Sequence, residues 1–203
     1  FPDSEQDEQC LMLLVHEGPA SRVDAEILAV ESIMADLDLN SADAAAADGW
    51  MSHRNNVPEW RDLLEQGLIA DTIEVSGTWN QIDAIYEDVV AALKTVPDCV
   101  NASAHSSHVY RSGINLYFTF ACMPEDASVM GDRYLESWDR ALTATAKVGG
   151  GIAHHHGSGR LRRSYLHHDL GDNGLALLRK LKLAIDPQGI FNPGNLLPPD
   201  DSQ

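Results

Sequence analysis

Arg111-Ser112-Gly113-Ile114-Asn115-Leu116-Tyr117-Phe118-Thr119-Phe120-Ala121-Cys122 reads as a turn followed by a β-strand rich in β-branched and aromatic residues. A second extended run, over 100–109, precedes the turn, so the two form a hairpin and pair antiparallel. Working outward, Ile69, Thr72, Ile73 and Val75 mark another strand over 68–75. Between it and the hairpin, Thr78 and Gln81 cap a helix whose apolar stripe is Ile82, Ile85, Val89 and Leu93 and which ends before Pro97. Behind the hairpin a helix over 126–147 turns Tyr134, Leu135, Trp138, Ala141 and Leu142 inward and stops at Gly149-Gly150-Gly151.

Nearer the start, the apolar run over 11–15 suits a buried strand and ends at the turn His16-Glu17-Gly18-Pro19. Ser21 with Asp24 then opens a helix whose stripe (Val23, Ile27, Val30, Met34, Leu37) is suited to packing on the sheet. The stretch over 40–59 holds an alanine run that could be helical, then Trp50 and a polar segment ending in Pro58, and reads as mostly irregular. Two helices are expected over 161–170 and 173–185, before a tail, 190–197, with the turn-and-apolar character of a segment that docks on another body. This order predicts an α+β fold, a ferredoxin-like antiparallel sheet covered by helices on one face.

The 203 residues, 44% of them hydrophobic, suffice for a packed core. With 31 acidic against 14 basic residues the net charge is −17, so nucleic acid is not the expected partner. Arg160, Arg162 and Arg163 form a local exception suited to an anionic ligand. Cys10, Cys99 and Cys122 include no CxxC pair, which fits reduced thiols and a cytoplasmic location; none is given a redox role. The start, Phe1-Pro2-Asp3-Ser4, lacks the basic and apolar regions of a secretory signal, and its acidic run looks like a linker within something longer.

His154-His155-His156 lies between Gly149-Gly150-Gly151 and Gly157-Ser158-Gly159. Neighbouring side chains of a helix or strand diverge, so a glycine-flanked loop is the way to aim three imidazoles at one small volume. Imidazole exchanges protons near neutral pH, which suits acid-base work or contact with a charged ligand. Three adjacent residues are a poor ligand spacing, and no metal is expected.

The stretch 149–159, together with Asp186-Pro187-Gln188-Gly189-Ile190-Phe191-Asn192-Pro193-Gly194, resembles the C-terminal part of the alkyldihydroxyacetonephosphate synthases, FAD flavoproteins of the vanillyl-alcohol-oxidase type. The stretch 107–120 and Trp60-Arg61-Asp62-Leu63-Leu64, leading into Asp71-Thr72-Ile73-Glu74, agree with it. The related D-lactate and glycolate dehydrogenases resemble Glu-His-Gly in the loop and Asp-Gly-Asn-Leu-His in the strand. Here those places read His155-His156-Gly157 and Gly113-Ile114-Asn115-Leu116-Tyr117. Asn195 departs from bacterial relatives, which often carry lysine there.

The resemblance implies a flavin reaction without net redox change, in which the acyl group of acyl-dihydroxyacetonephosphate is exchanged for a fatty alcohol to make an ether lipid. The alternative is an FAD-linked 2-hydroxy acid dehydrogenase. By motif match Tyr117 is the acid-base tyrosine, and His154, His155 and His156 form a catalytic loop. His154, His155 and Asn192 would also touch FAD, and Arg61 and His108 the lipid-phosphate substrate. A tyrosine acting as base must first lose its proton, which a nearby positive charge assists. Each residue has a plainer reading too: Tyr117 a satisfied core phenol, Arg61 a surface ion-pair partner, His108 a solvated strand residue.

No GxGxxG follows a strand, so the flavin-binding domain is expected to be absent and to be this chain's partner within the whole protein. Residues 1–148 would be the cap, or substrate, domain, and 149–203 the histidine loop and the return to the flavin domain. The chain alone is expected to be inactive; a homodimer is an open alternative.

Overall fold

In the computed structural model, residues 11–37, 39, 43 and 45–197 are described. Cys10 and the acidic start over 3–8 lie outside them. The chain divides into two compact units, 1–58 and 59–203.

In the first unit, helix α1 (Ala20–Met34) begins after Pro19 without a side-chain cap, so the Ser21/Asp24 capping box does not form. It buries no residue, and the stripe expected to pack on the sheet is at best half-buried at Val23, Val30 and Met34. The run over 11–15 is not a strand: Leu11 and Met12 are exposed and, among the described residues, no strand pairs with them. An apolar run becomes a strand only where an edge is free to pair with it. Helix α2 (Ala45–His53) replaces the irregular stretch expected there, the helix propensity of its alanines outweighing Gly49.

The second unit holds the core. After a short helix α3 (Trp60–Glu65), strands β1 (Ile69–Thr78), β2 (Cys99–His105) and β3 (Gly113–Cys122) pair antiparallel in the order β1-β3-β2. Helix α4 (Ile82–Lys94) joins β1 to β2, and α5 (Met130–Lys147) follows β3. Gln81 is the N-cap of α4, its Oε1 accepting from the Thr78 amide and hydroxyl. Ile73, Val75, Leu116, Phe118, Phe120 and Cys122 interleave with Ile85, Val89 and Leu93 of α4 and Trp138, Ala141 and Leu142 of α5. Leu135, expected inside, is 55% exposed, whereas Ser137, Ala144 and Thr145 are buried.

This is the βαββα part of the ferredoxin-like plan. Beside β1, where a further strand would pair, Ser76 and Gly151 exchange two backbone hydrogen bonds (3.0 and 2.8 Å) and form an isolated bridge. Gly149, at φ 74°, lets the chain leave α5 and reach that edge. The sheet edge therefore receives the start of the histidine loop. Beyond it, helix α6 (Leu166–Ile185) bends at Gly171 (φ 64°), the break expected between two helices, though the first begins at Leu166 rather than at 161.

Candidate active site

From Thr72 to Ser76 of β1 and from Asn115 to Thr119 of β3, residues facing away from the helices are polar. Asn115 and Tyr117 of β3 lie opposite Ser76 and Glu74 of β1, and His105 of β2 is paired with Tyr117 on its other side. His105 stacks flat on the Tyr117 ring, centroids 5.0 Å apart. Ser103 and His105 are exposed, so this face is open next to Tyr117.

Glu74 is fully buried and organises the face. Its Oε1 accepts from Asn115 Nδ2 (2.8 Å) and His154 Nδ1 (3.1 Å), and its Oε2 from the backbone N–H groups of His155 (3.2 Å) and His156 (3.3 Å). His155 Nδ1 lies 2.8 Å from Oε1. Burial pushes this carboxyl up, but the Asn115 amide, the His155 N–H, the His154 ring and the field of His156 outweigh it and hold it at about 2.

The turn at Arg111-Ser112 is tight, as expected: Tyr110 N–H donates to the Gly113 carbonyl (2.8 Å) and Val109 bridges Ile114. Regular pairing of β2 nevertheless stops at His105, where Asn115 Oδ1 collects the amides of Ser107 (3.3 Å) and His108 (2.9 Å) and the Ser106 hydroxyl (3.2 Å). Segment 106–108 thereby leaves the regular ladder, and His108 meets His155 and His154 with ring centroids 4.8 and 5.4 Å apart. A cleft of about 320 Å³ opens alongside, lined by Ser76, Gln81, Tyr110, Ile114 and His154 among others.

Four of the expected site residues, Tyr117 and His154 to His156, come together, and His108 joins them. Tyr117 Oη lies 3.1 Å from His155 Nε2 and 3.4 Å from His156 Nε2. The phenol is raised above its ordinary range by burial, with the Glu74 charge adding to the rise and the Ser107 hydroxyl opposing it. A proton leaving Tyr117 therefore needs an acceptor close by, and the imidazoles provide one.

Arg61 is not part of this group. It is exposed on α3, whose Trp60 meets Tyr134 edge-on (6.4 Å), and Tyr134 packs on the helix side of the sheet. Asn192, at φ 44° in the tail, borders an apolar groove of about 900 Å³ with Leu181, Ile185 and Phe191. The tail is tied to the loop's far end, through Leu196 N–H to the Gly159 carbonyl (3.3 Å) and Arg163 to that of Gly194.

The basic patch expected to meet an anion is largely committed elsewhere. Arg162 is buried and donates to the carbonyls of Ile152 (2.9 Å), Glu74 (3.1 Å) and Gly157 (3.3 Å), its guanidinium lying over the Trp138 ring. It bolts both ends of the histidine loop to β1. Glu74 and Asn115 were not foreseen as site residues, and Arg162 was expected to meet an anion rather than to hold the loop; the only hint for Glu74 is a carboxylate inside an apolar strand.

Two groups, His108 with His154 and His155, and Glu74 with His155 and His156, bring ligand atoms within 4.8 Å of one another, close enough to hold a cation. In the second, both Glu74 oxygens already accept hydrogen bonds. Cys99 and Cys122 are free thiols, and among the described residues no helix is long and apolar enough to cross a membrane.

Comparison with known proteins adds the context of the site. The family described as FAD linked oxidases, C-terminal domain, matches residues 2–196. The FAD-linked oxidoreductase YgcU of Escherichia coli K12, described as uncharacterized, is 31% identical over 95% of this chain and 42% of its own length. Alkyldihydroxyacetonephosphate synthase of Dictyostelium discoideum is 28% identical over 93% of the chain and 32% of its own length. A solved alkyldihydroxyacetonephosphate synthase superposes with a TM-score of 0.52 at 25% identity, over 87% of this chain and 29% of the other. The chain thus spans less than half the length of these relatives.

Proposed function

Because the chain belongs to the family of FAD-linked oxidase C-terminal domains, we propose that Tyr117, His154, His155 and His156 form the substrate side of a flavin active site, closed by the flavin-binding body of the whole protein. The observation that carries this reading is the meeting of the Tyr117 hydroxyl with two imidazole nitrogens on an open sheet face. The donor set fits the cofactor: bound FAD supplies an electron-accepting ring, and phenol and imidazole supply proton transfers that the ring does not. His154 and His155 would lie beside the flavin and Asn192 at the junction with its domain. His108 would border the substrate, while Arg61, on the helix side of the sheet, has no part in this reading.

In this reading Tyr117 exchanges a proton with the substrate carbon while His155 or His156 takes the phenol's proton. The loop's glycines and Arg162 hold the imidazoles still, which keeps the proton path short. For the reaction itself we favour exchange of the acyl group of acyl-dihydroxyacetonephosphate for a fatty alcohol. Support comes from the triple histidine with the strand tyrosine and from the similarity to the synthases.

The test is to give the complete flavoprotein acyl-dihydroxyacetonephosphate and a labelled fatty alcohol. The expected result is labelled ether product with the flavin absorbance unchanged at the end. Bleaching by D-lactate or glycolate, with no ether formed, would contradict it and favour a 2-hydroxy acid dehydrogenase. The 203-residue chain alone is expected to be colourless and without turnover; a yellow preparation with stoichiometric FAD would contradict the need for a second body.

A further inference from the structure

We propose that Cys99 and Cys122 form a modification site: hydrogen peroxide oxidises the Cys99 thiol first, and Cys122 then closes a reversible disulfide between β2 and β3. Neither sulfur belongs to the site described above, and the function proposed for that site does not enter.

The ladder brings the two cysteines face to face. Cys99 opens β2 and Cys122 closes β3, and they are Cα partners. Next to them the Met123 N–H donates to the Asp98 carbonyl (2.9 Å), whereas the Cys99 N–H turns back to the Val96 carbonyl (3.2 Å). Bonded and unbonded positions alternate along an antiparallel pair, so Asp98 and Met123 take the bonded one and Cys99 and Cys122 the unbonded one. Opposite Cα atoms come closest there, at about 4.5 Å. A disulfide spans about 4.4–6.8 Å between Cα atoms, which includes that separation. Both side chains also point to the same face, since each packs against the helix-covered core.

The two thiols differ in what can reach them. Among the described residues β2 is an outer strand, Cys99 is half-buried, and the bulge between Cys99 and Asn101 leaves the exposed Val100 outside the ladder. Cys122 is fully buried, its sulfur 3.7 Å from the Ser137 hydroxyl. Burial pushes the Cys122 thiol above its ordinary range; Ser137 opposes the rise and the neighbouring Cys99 adds to it. A small oxidant therefore meets Cys99. Its sulfur attacks one peroxide oxygen, the O–O bond breaks, and the thiol proton leaves with the other oxygen as water, so Cys99 becomes a sulfenic acid. The Cys122 sulfur then attacks the Cys99 sulfur, the S–O bond breaks, and the Cys122 proton leaves with the hydroxyl as a second water. Two thiols and one peroxide become one disulfide and two waters, two electrons passing from sulfur to oxygen. A thiol reductant reverses the bond through a mixed disulfide.

To test this, the 203-residue chain is reduced, freed of reductant, treated with hydrogen peroxide, unfolded in iodoacetamide and digested with trypsin without further reduction. Trypsin separates the three cysteines into peptides 1–22, 95–111 and 112–133. The expected product is 95–111 joined to 112–133, two hydrogens lighter than the separate thiol peptides and parted again by dithiothreitol. In Cys99→Ser, Cys122 is expected to survive the same exposure as an alkylatable thiol, because its relay to the surface is gone. Recovery of both peptides as alkylated thiols would overturn the proposal, as would a Cys99 sulfinic or sulfonic acid beside an alkylated Cys122, or a link through Cys10 in place of this one. So would oxidation of Cys122 in Cys99→Ser at the wild-type rate. Should Cys99→Ser fail to fold, the wild-type digest decides alone.

Discussion

Glu74 and Tyr117 face each other directly across β1 and β3, and the His155 ring spans the pair, Nδ1 2.8 Å from the carboxylate and Nε2 3.1 Å from the phenol. Cross-strand neighbours share a face of the sheet, so the ladder itself sets the span into which one imidazole fits.

Acid should weaken the fold through Glu74. Its carboxyl sits at about 2 in the folded chain against an ordinary 4.5, a lowered value, so its contribution is complete above about 4.5 and is lost as pH falls toward 2. The displacement corresponds to roughly 3 kcal/mol. Urea unfolding of the wild type and Glu74→Gln across that range checks it: the stability difference is expected to shrink by that amount on acidification. A difference that does not change with pH would contradict the assignment.

Replacing Arg162 with Met keeps an unbranched apolar stem but removes every donor. The carbonyls of Ile152 and Glu74 would lose their buried partner, at about 1–3 kcal/mol each. A loss of roughly 3 kcal/mol in urea unfolding is expected, with faster amide exchange over 152–157. A loss below about 1 kcal/mol would mean that the loop is held by other contacts.

At Gly113 an added Cβ would lie 2.1 Å from the Gly77 carbonyl oxygen of the paired strand, where no flexible side chain can yield. Gly113→Ala is expected to open that end of the β1–β3 ladder and to cost about 2–3 kcal/mol. An unchanged melting midpoint would show that the strands separate there without penalty.

Much of this was legible in the residues. The β-branched strands, the Ile82 to Leu93 stripe and the glycine-flanked histidines specify the sheet, its helical cover and the loop, because local periodicity and turn chemistry decide them. The convergence of Tyr117 with His155 and His156 came from the motif pattern. Features that depend on distant pairing did not show: the run over 11–15 looks like a strand in isolation, and α2 looks like loop between polar stretches. Arg162 reads as a free cation in a basic cluster, yet its stem and guanidinium are sunk against Trp138 with backbone carbonyls as partners. Asn115 reads as a polar strand residue, and only the structure reveals that its side chain shapes segment 106–108.

The most direct test of the central claim is Tyr117→Phe in the complete flavoprotein. The aromatic ring and its stacking on His105 are retained, and only the hydroxyl between the imidazoles and the open face is lost. Turnover is expected to fall by about 10²-fold or more, the usual share of a positioned proton-transfer group, with the flavin still bound. Turnover within about twofold of the wild type would contradict the claim that this phenol carries the proton.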